Sequence, residues 1–184
     1  APVPEAGALI KPQWFRYADI PASALYYHSC DTAIALHDTS DYSVCTTWAV
    51  HEHQYYLADV RRVRLPFTEL KNAVVAEYEK YRPAAVLIEN KASGQSLLQE
   101  LRAEEMPLIA ITPKEDKLQR FLRACVVFEA GKIYFPLHAP WRATLESELL
   151  SFPADTHDDQ VDSVSQFINW MRKSQGFSPR VRHL

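Results

Sequence analysis

The sequence predicts an α/β fold: a mixed sheet of five or more strands, the first three antiparallel and the later ones parallel, with helices on both faces. Three observations lead there. β-branched and aromatic residues crowd into three successive segments between residues 24 and 65. From residue 67 the hydrophobic period becomes that of a helix, and helical stretches then alternate with short apolar runs. Those runs, AAVLIE at 84–89 and PLIAIT at 107–112, are apolar throughout, as strands covered on both faces are. A meander feeding strand–helix–strand units gives a mixed sheet.

The elements follow in order. Residues 1–22 carry Pro2, Pro4, Pro12 and Pro21 and read as a linker or extended lead-in to a domain over 23–173. Segment 24–34 is strand-like, with Leu25, Tyr27 and Ser29 on one face and Tyr26 and His28 on the other. DTSD at 38–41 is a turn. Segments 42–51 and 54–65 pair as a hairpin across Glu52 and His53. Residues 67–81 form a helix with Leu70, Val74, Val75 and Tyr78 on one stripe, and Pro83 ends it. Helices follow at 93–105 and 114–129, the latter stopped by Gly131. KIYFP at 132–136 is a short edge segment. Helices at 141–150 and 158–173 complete the domain, and 174–184 is a flexible basic tail.

Composition narrows the function. A chain of 184 residues, 47% hydrophobic and 23% charged, fits one globular domain. No run of about eighteen apolar residues suggests a membrane span. The first residues lack the basic start and apolar stretch of a signal peptide. Cys30, Cys45 and Cys125 are odd in number and far apart in sequence. That argues against a disulfide framework or a zinc knuckle and suits a reducing cytoplasm. The net charge of -3 weighs mildly against a nucleic-acid binder, unless acidic metal ligands offset a basic groove in the sum.

Three acidic features carry the candidate chemistry. Asp31 interrupts the first strand, where an ionised carboxylate needs compensation. Glu89 ends AAVLIE, where a parallel strand delivers side chains to a crevice. His157, Asp158 and Asp159 open the last helix and Asp162 follows one turn later, near a terminus that favours negative charge. Each has a plainer reading: a bulge residue for Asp31, a solvated strand end for Glu89, an N-cap for the last group. Brought together, Asp31, Glu89 and the Asp158/Asp159 pair form a hard-oxygen site suited to Mg²⁺ or Mn²⁺. Two such ions, about 3.5–4 Å apart, support phosphodiester cleavage. Asp31, on what should be the central strand, is the natural bridging ligand. Lys114, Lys117, Arg120 and Arg123 recur along the helix after PLIAIT and can form a stripe for DNA phosphates, or an ordinary solvated face. Arg62 and Arg64 share a strand face and are a second candidate for the groove. Lys91 lies close to Glu89 and could approach a scissile phosphate, or serve the surface.

The stretches SCDTA, YYLADVRRVRLPF, VLIENKASGQSLLQEL, ITPKEDKLQRF, GKIYFP and ELLSFPADTHDDQVDSVSQF resemble the C-terminal nuclease domain of tailed-phage large terminase subunits. The resemblance runs from about residue 24 to 171. It implies an RNase H-like, RuvC-like fold and a metal-dependent endonuclease that cuts double-stranded concatemeric DNA during genome packaging. Asp31, Glu89 and the Asp158/Asp159 pair match the family's metal ligands, with Asp159 favoured of the pair and His157 and Asp162 as neighbours that orient ligands. The implied cofactors are two Mg²⁺ or Mn²⁺ ions. The implied partners are double-stranded DNA and, in a full-length protein, an N-terminal packaging ATPase, the small terminase subunit and the portal, all in the cytoplasm of an infected or lysogenic host. The sequence holds no G-x-x-x-x-G-K-[ST] phosphate loop, so the motor chemistry is not expected in this chain. A junction resolvase, a transposase, an RNase H-type nuclease and a non-catalytic binding module of the same fold are the rival readings.

Overall fold

A computed structural model describes residues 8–37, 40–156 and 158–176. Seven strands form one sheet: β1 (Arg16–Tyr17), β2 (Leu25–Asp31), β3 (Ser43–His51), β4 (Gln54–Val63), β5 (Ala85–Glu89), β6 (Leu108–Ile111) and β7 (Ile133–Phe135). Their spatial order is β1-β7-β4-β3-β2-β5-β6. β2, β3 and β4 are antiparallel, and β5 joins β2 in parallel. β6 continues the parallel half, while β7 runs parallel to β4. The hairpin turn closes on Glu52 and His53, both in the left-handed region, with φ 48° and 62°. A two-residue turn of that hand matches the twist of the paired strands.

Five helices cover the sheet: α1 (Phe67–Tyr81), α2 (Ala92–Leu101), α3 (Lys117–Glu129), α4 (Arg142–Ser151) and α5 (Asp159–Gly176). Alternation along the strands divides the core. Val86 and Ile88 of β5 pack with Val74 of α1 and with Leu97, Leu98 and Leu101 of α2. Leu87 turns to the opposite face and joins the larger core under α3, α4 and α5. There Trp48 of β3 stacks on Phe167 of α5, with ring centroids 4.6 Å apart. The sheet is thus sandwiched between two helical layers.

Several expectations change. The proline-rich start is not only a lead-in: Ile10 is fully buried and β1 pairs with β7. A two-residue strand is too short to show a period, so only tertiary packing reveals it. β7 is therefore not an edge strand, since β1 covers it. Residues 114–116 lie outside α3; Asp116 is its N-cap and accepts a hydrogen bond from Gln119 N–H at 2.9 Å. α5 continues to Gly176, three residues into the expected tail. Cys30 and Cys45 form a disulfide, with Cα atoms 4.2 Å apart. They are 15 residues apart in sequence, yet the β2–β3 register sets them opposite one another. Cys125 is free and buried.

Candidate functional site

Register and side-chain period build the site. Asp31 pairs with Val44 on β3, and Val44 pairs with Arg62 on β4. On the other side Cys30 pairs with Ile88 of β5, so the next step sets Asp31 beside Glu89. β2 and β5 are parallel, so both carboxylates leave the sheet at the same edge. The turn after β5 is tight. A Cβ on Gly94 would stand 1.9 Å from the Glu89 carbonyl oxygen, so only glycine fits there.

The two carboxyl groups lie within hydrogen-bonding reach of one another. Burial, then the neighbouring Glu89, push the Asp31 carboxyl up to about 7, and Lys91 partly offsets them. Lys91 stands between the pair, its Nζ 2.8 Å from Glu89 Oε2 and 3.4 Å from Asp31 Oδ1. Burial works against the Lys91 charge, but the two carboxylates outweigh it and raise its pKa. A cation between two crowded carboxylates is what their repulsion demands.

The acids of α5 divide. Asp162 is near the pair: its charge contributes to the rise at Asp31, and it lines the same cleft as Glu89. It is held by Lys117 at 3.1 Å and Arg120 at 2.9 Å. Asp159 instead takes two hydrogen bonds from Arg62, at 2.8 and 3.2 Å. Asp158 pairs with Lys117 at 3.0 Å. Asp162 is thus brought toward Asp31, where the sequence favours Asp159. Positions three apart on a helix differ by only about 60° in direction, so which of Asp159 and Asp162 faces the strands depends on how the helix docks. His157 lies outside the described residues.

That docking is fixed by polar groups whose part the sequence does not reveal. The Ser29 hydroxyl donates to Ser163 O at 2.8 Å, and the Ser163 hydroxyl donates to Ser29 O at 2.7 Å. Thr46 Oγ1 lies 2.8 Å from Ser163 Oγ and accepts a bond from Trp48 Nε1. The Gln166 amide donates to Ser29 Oγ and Cys30 O. Ser29 is two residues from Asp31, and Ser163 follows Asp162. A satisfied buried network of this kind sets one register between strand and helix. At the helix start, the buried Glu148 of α4 accepts from Gln160 N–H at 2.6 Å and Val161 N–H at 3.1 Å. It satisfies the open Gln160 donor and shares the Val161 N–H with the Asp158 carbonyl, 3.3 Å away.

The expected DNA-binding residues also divide. Lys117 and Arg120 are counter-ions of the acidic cluster, and not a free phosphate stripe. Arg123 binds Glu115. Arg62 and Arg64 stack on Tyr42, their guanidinium carbons 3.9 and 3.8 Å from the ring centroid. They line an open cleft of about 590 Å³ together with Ser147 and Asp155. Lys114 is exposed beside a second cleft of about 340 Å³ that ends at Glu89 and Asp162.

The donor set suits a hard cation: the converging atoms are carboxylate oxygens, and Lys91 shows that the Asp31–Glu89 pair accepts positive charge. Among the described residues no three His, Cys, Asp or Glu side chains are gathered closely enough to hold an ion as they stand. Asp162 is turned onto Lys117 and Arg120 instead.

The nuclease of the large terminase from thermophilic phage G20c, solved with bound magnesium, superposes with TM-score 0.65 at 18% identity, over 82% of this chain and 84% of that one. The zinc-bound form of that nuclease gives TM-score 0.63 at 21% identity, over 80% and 81%. The large terminase of another thermophilic bacteriophage gives 0.69 at 15% identity, covering 89% of this chain. This chain spans 44% of that larger protein. No curated protein sequence matches the chain. The family profile for the terminase RNaseH-like domain, Terminase_6C, matches residues 17–170, which is most of the sequence. The chain belongs to the terminase RNaseH-like domain family.

Proposed function

We propose that this domain is a divalent-metal-dependent endonuclease that cuts double-stranded DNA during phage genome packaging. The observation that carries the reading is the meeting of Asp31 and Glu89 at one sheet edge, with Lys91 between them and Asp162 close by. Asp31, Glu89 and Asp162 are the proposed ligands of two Mg²⁺ or Mn²⁺ ions. Bound there, such ions would supply charge stabilisation at the phosphate and a water acidic enough to attack it.

The chain's own residues do the rest. Asp31 is influenced by both Glu89 and Asp162, so it is the carboxylate that would be shared if two ions were held there. Lys91 holds the two carboxylates together before loading and must move aside for an ion. Lys117 and Arg120 hold Asp162, which would have to leave them to reach an ion. Asp158 and Asp159, each paired with a base, anchor the start of α5. The partners proposed for a longer protein are a packaging ATPase, a small terminase subunit and a portal, in the cytoplasm of the host.

Incubation of the purified domain with supercoiled plasmid tests the reading. Nicked and linear products are expected with Mn²⁺ or Mg²⁺ and none with excess EDTA. Unchanged cutting in EDTA overturns it.

A further inference from the structure

We propose that the cleft beside Glu89 and Asp162 is a single-strand subsite that takes one unstacked nucleotide of the cut DNA strand. The inference rests on the nuclease reading and adds where and in what form the strand is held. The cleft measures about 340 Å³, which is nucleotide-sized. Its walls come from the ends of β5 and β6, the loop before α3, and one face each of α3 and α5. The lining divides chemically. Ile111, Pro113 and the half-buried Trp170 give an apolar surface with one indole, the kind on which a base stacks. Lys114, from the loop before α3, and Lys173, from α5, are both exposed. The other basic residues there are engaged: Arg120 by Asp162 and Arg123 by Glu115. Among the described residues these two lysines are the cleft's cations without an ion-pair partner, which fits them to phosphates.

Position gives the cleft its meaning. A nucleotide seated against Trp170 would share its cleft with Glu89 and Asp162, the proposed ligands. A base still paired in a duplex cannot enter a pocket of this size, so the strand must open locally beside the cut.

The test is binding of a short fluorescent oligothymidylate in Ca²⁺, alongside plasmid cleavage in Mn²⁺. Ala110→Trp fills the cleft without changing charge, since Ala110 is an exposed lining residue. It is expected to weaken oligothymidylate binding about tenfold, the worth of one base stack. The double variant Lys114→Ala/Lys173→Ala, at two exposed positions, is expected to flatten the plot of log affinity against log salt by about 0.7 per lysine. Wild-type affinity and slope in both variants overturn the subsite, and if the parent still cuts plasmid the nuclease reading stands. Weakened binding in both variants, from a parent that does not cut, supports the cleft as a single-strand site and overturns the nuclease reading alone.

Discussion

At the residue scale, Asp31 and Glu89 stand out in the sequence because each places a charge where an apolar strand makes charge costly, and the structure sets them side by side. Asp162 was visible as a neighbour, but three acids at one helix start cannot be ranked without the docking angle. The part Lys91 plays was hidden: a lysine after a strand reads as surface until register places it between two carboxylates. The account predicts that Lys91→Met lowers the melting temperature of the metal-free domain, since the carboxylates lose their cation, and enlarges the rise on adding Mn²⁺. Thermal melts with and without Mn²⁺ check this, and equal shifts in both proteins contradict it. His28, on the same strand as Asp31, supplies a pH test. Burial lowers its pKa from 6.5 to about 4, and its ring packs edge-on against Tyr81. A folded-state pKa below the unfolded one gives stability that is complete above pH 6.5 and is lost as pH falls toward 4. The shift corresponds to about 3 kcal/mol. His28→Gln should flatten that acid limb in urea unfolding followed from pH 7 to 4, and an unchanged limb rules the cause out.

At the element scale, the hydrophobic periods located α1 and β5 to within a residue. They did not find β1, which has no length to show a period, or the true start of α3, where Asp116 caps the helix and leaves Lys114 in a loop. Ser29, Thr46 and Ser163 escaped for a related reason. Small polar residues in a strand or helix read as solvent-facing until the partner that satisfies them is known. Sequence separation likewise concealed the Cys30–Cys45 pairing, which needs the strand register. The start of α5 depends on Glu148, a residue of the preceding helix. Glu148→Ala leaves the buried Gln160 N–H without its acceptor and the Val161 N–H with only the Asp158 carbonyl, at 3.3 Å, and should cost about 2 kcal/mol in urea unfolding. It should also reduce cleavage, because α5 carries Asp162. A loss below about 0.5 kcal/mol, the scale of an ordinary surface change, would show that the cap is not needed.

At the scale of the whole molecule, the parallel half of the sheet delivers Asp31 and Glu89 to one edge, and α5 crosses that edge with its acids. Basic residues are spread among these acids as counter-ions, which is how a chain of net charge -3 can keep lysines and arginines at a proposed DNA site. The mixed topology was legible because meander and alternation each leave a sequence pattern. That Asp162 lies nearer Asp31 while Asp159 pairs with Arg62 was not, because it depends on packing between elements far apart in the chain. The most direct measurement is plasmid cleavage in Mn²⁺ by three variants purified alike: Asp31→Asn, Asp162→Asn and Asp158→Asn. The account predicts that the first two retain the parent's fold by circular dichroism and lose at least about a hundredfold in rate, while Asp158→Asn stays within about tenfold of the parent. Cleavage at the parent rate by folded Asp162→Asn or Asp31→Asn would contradict the proposed ligand set.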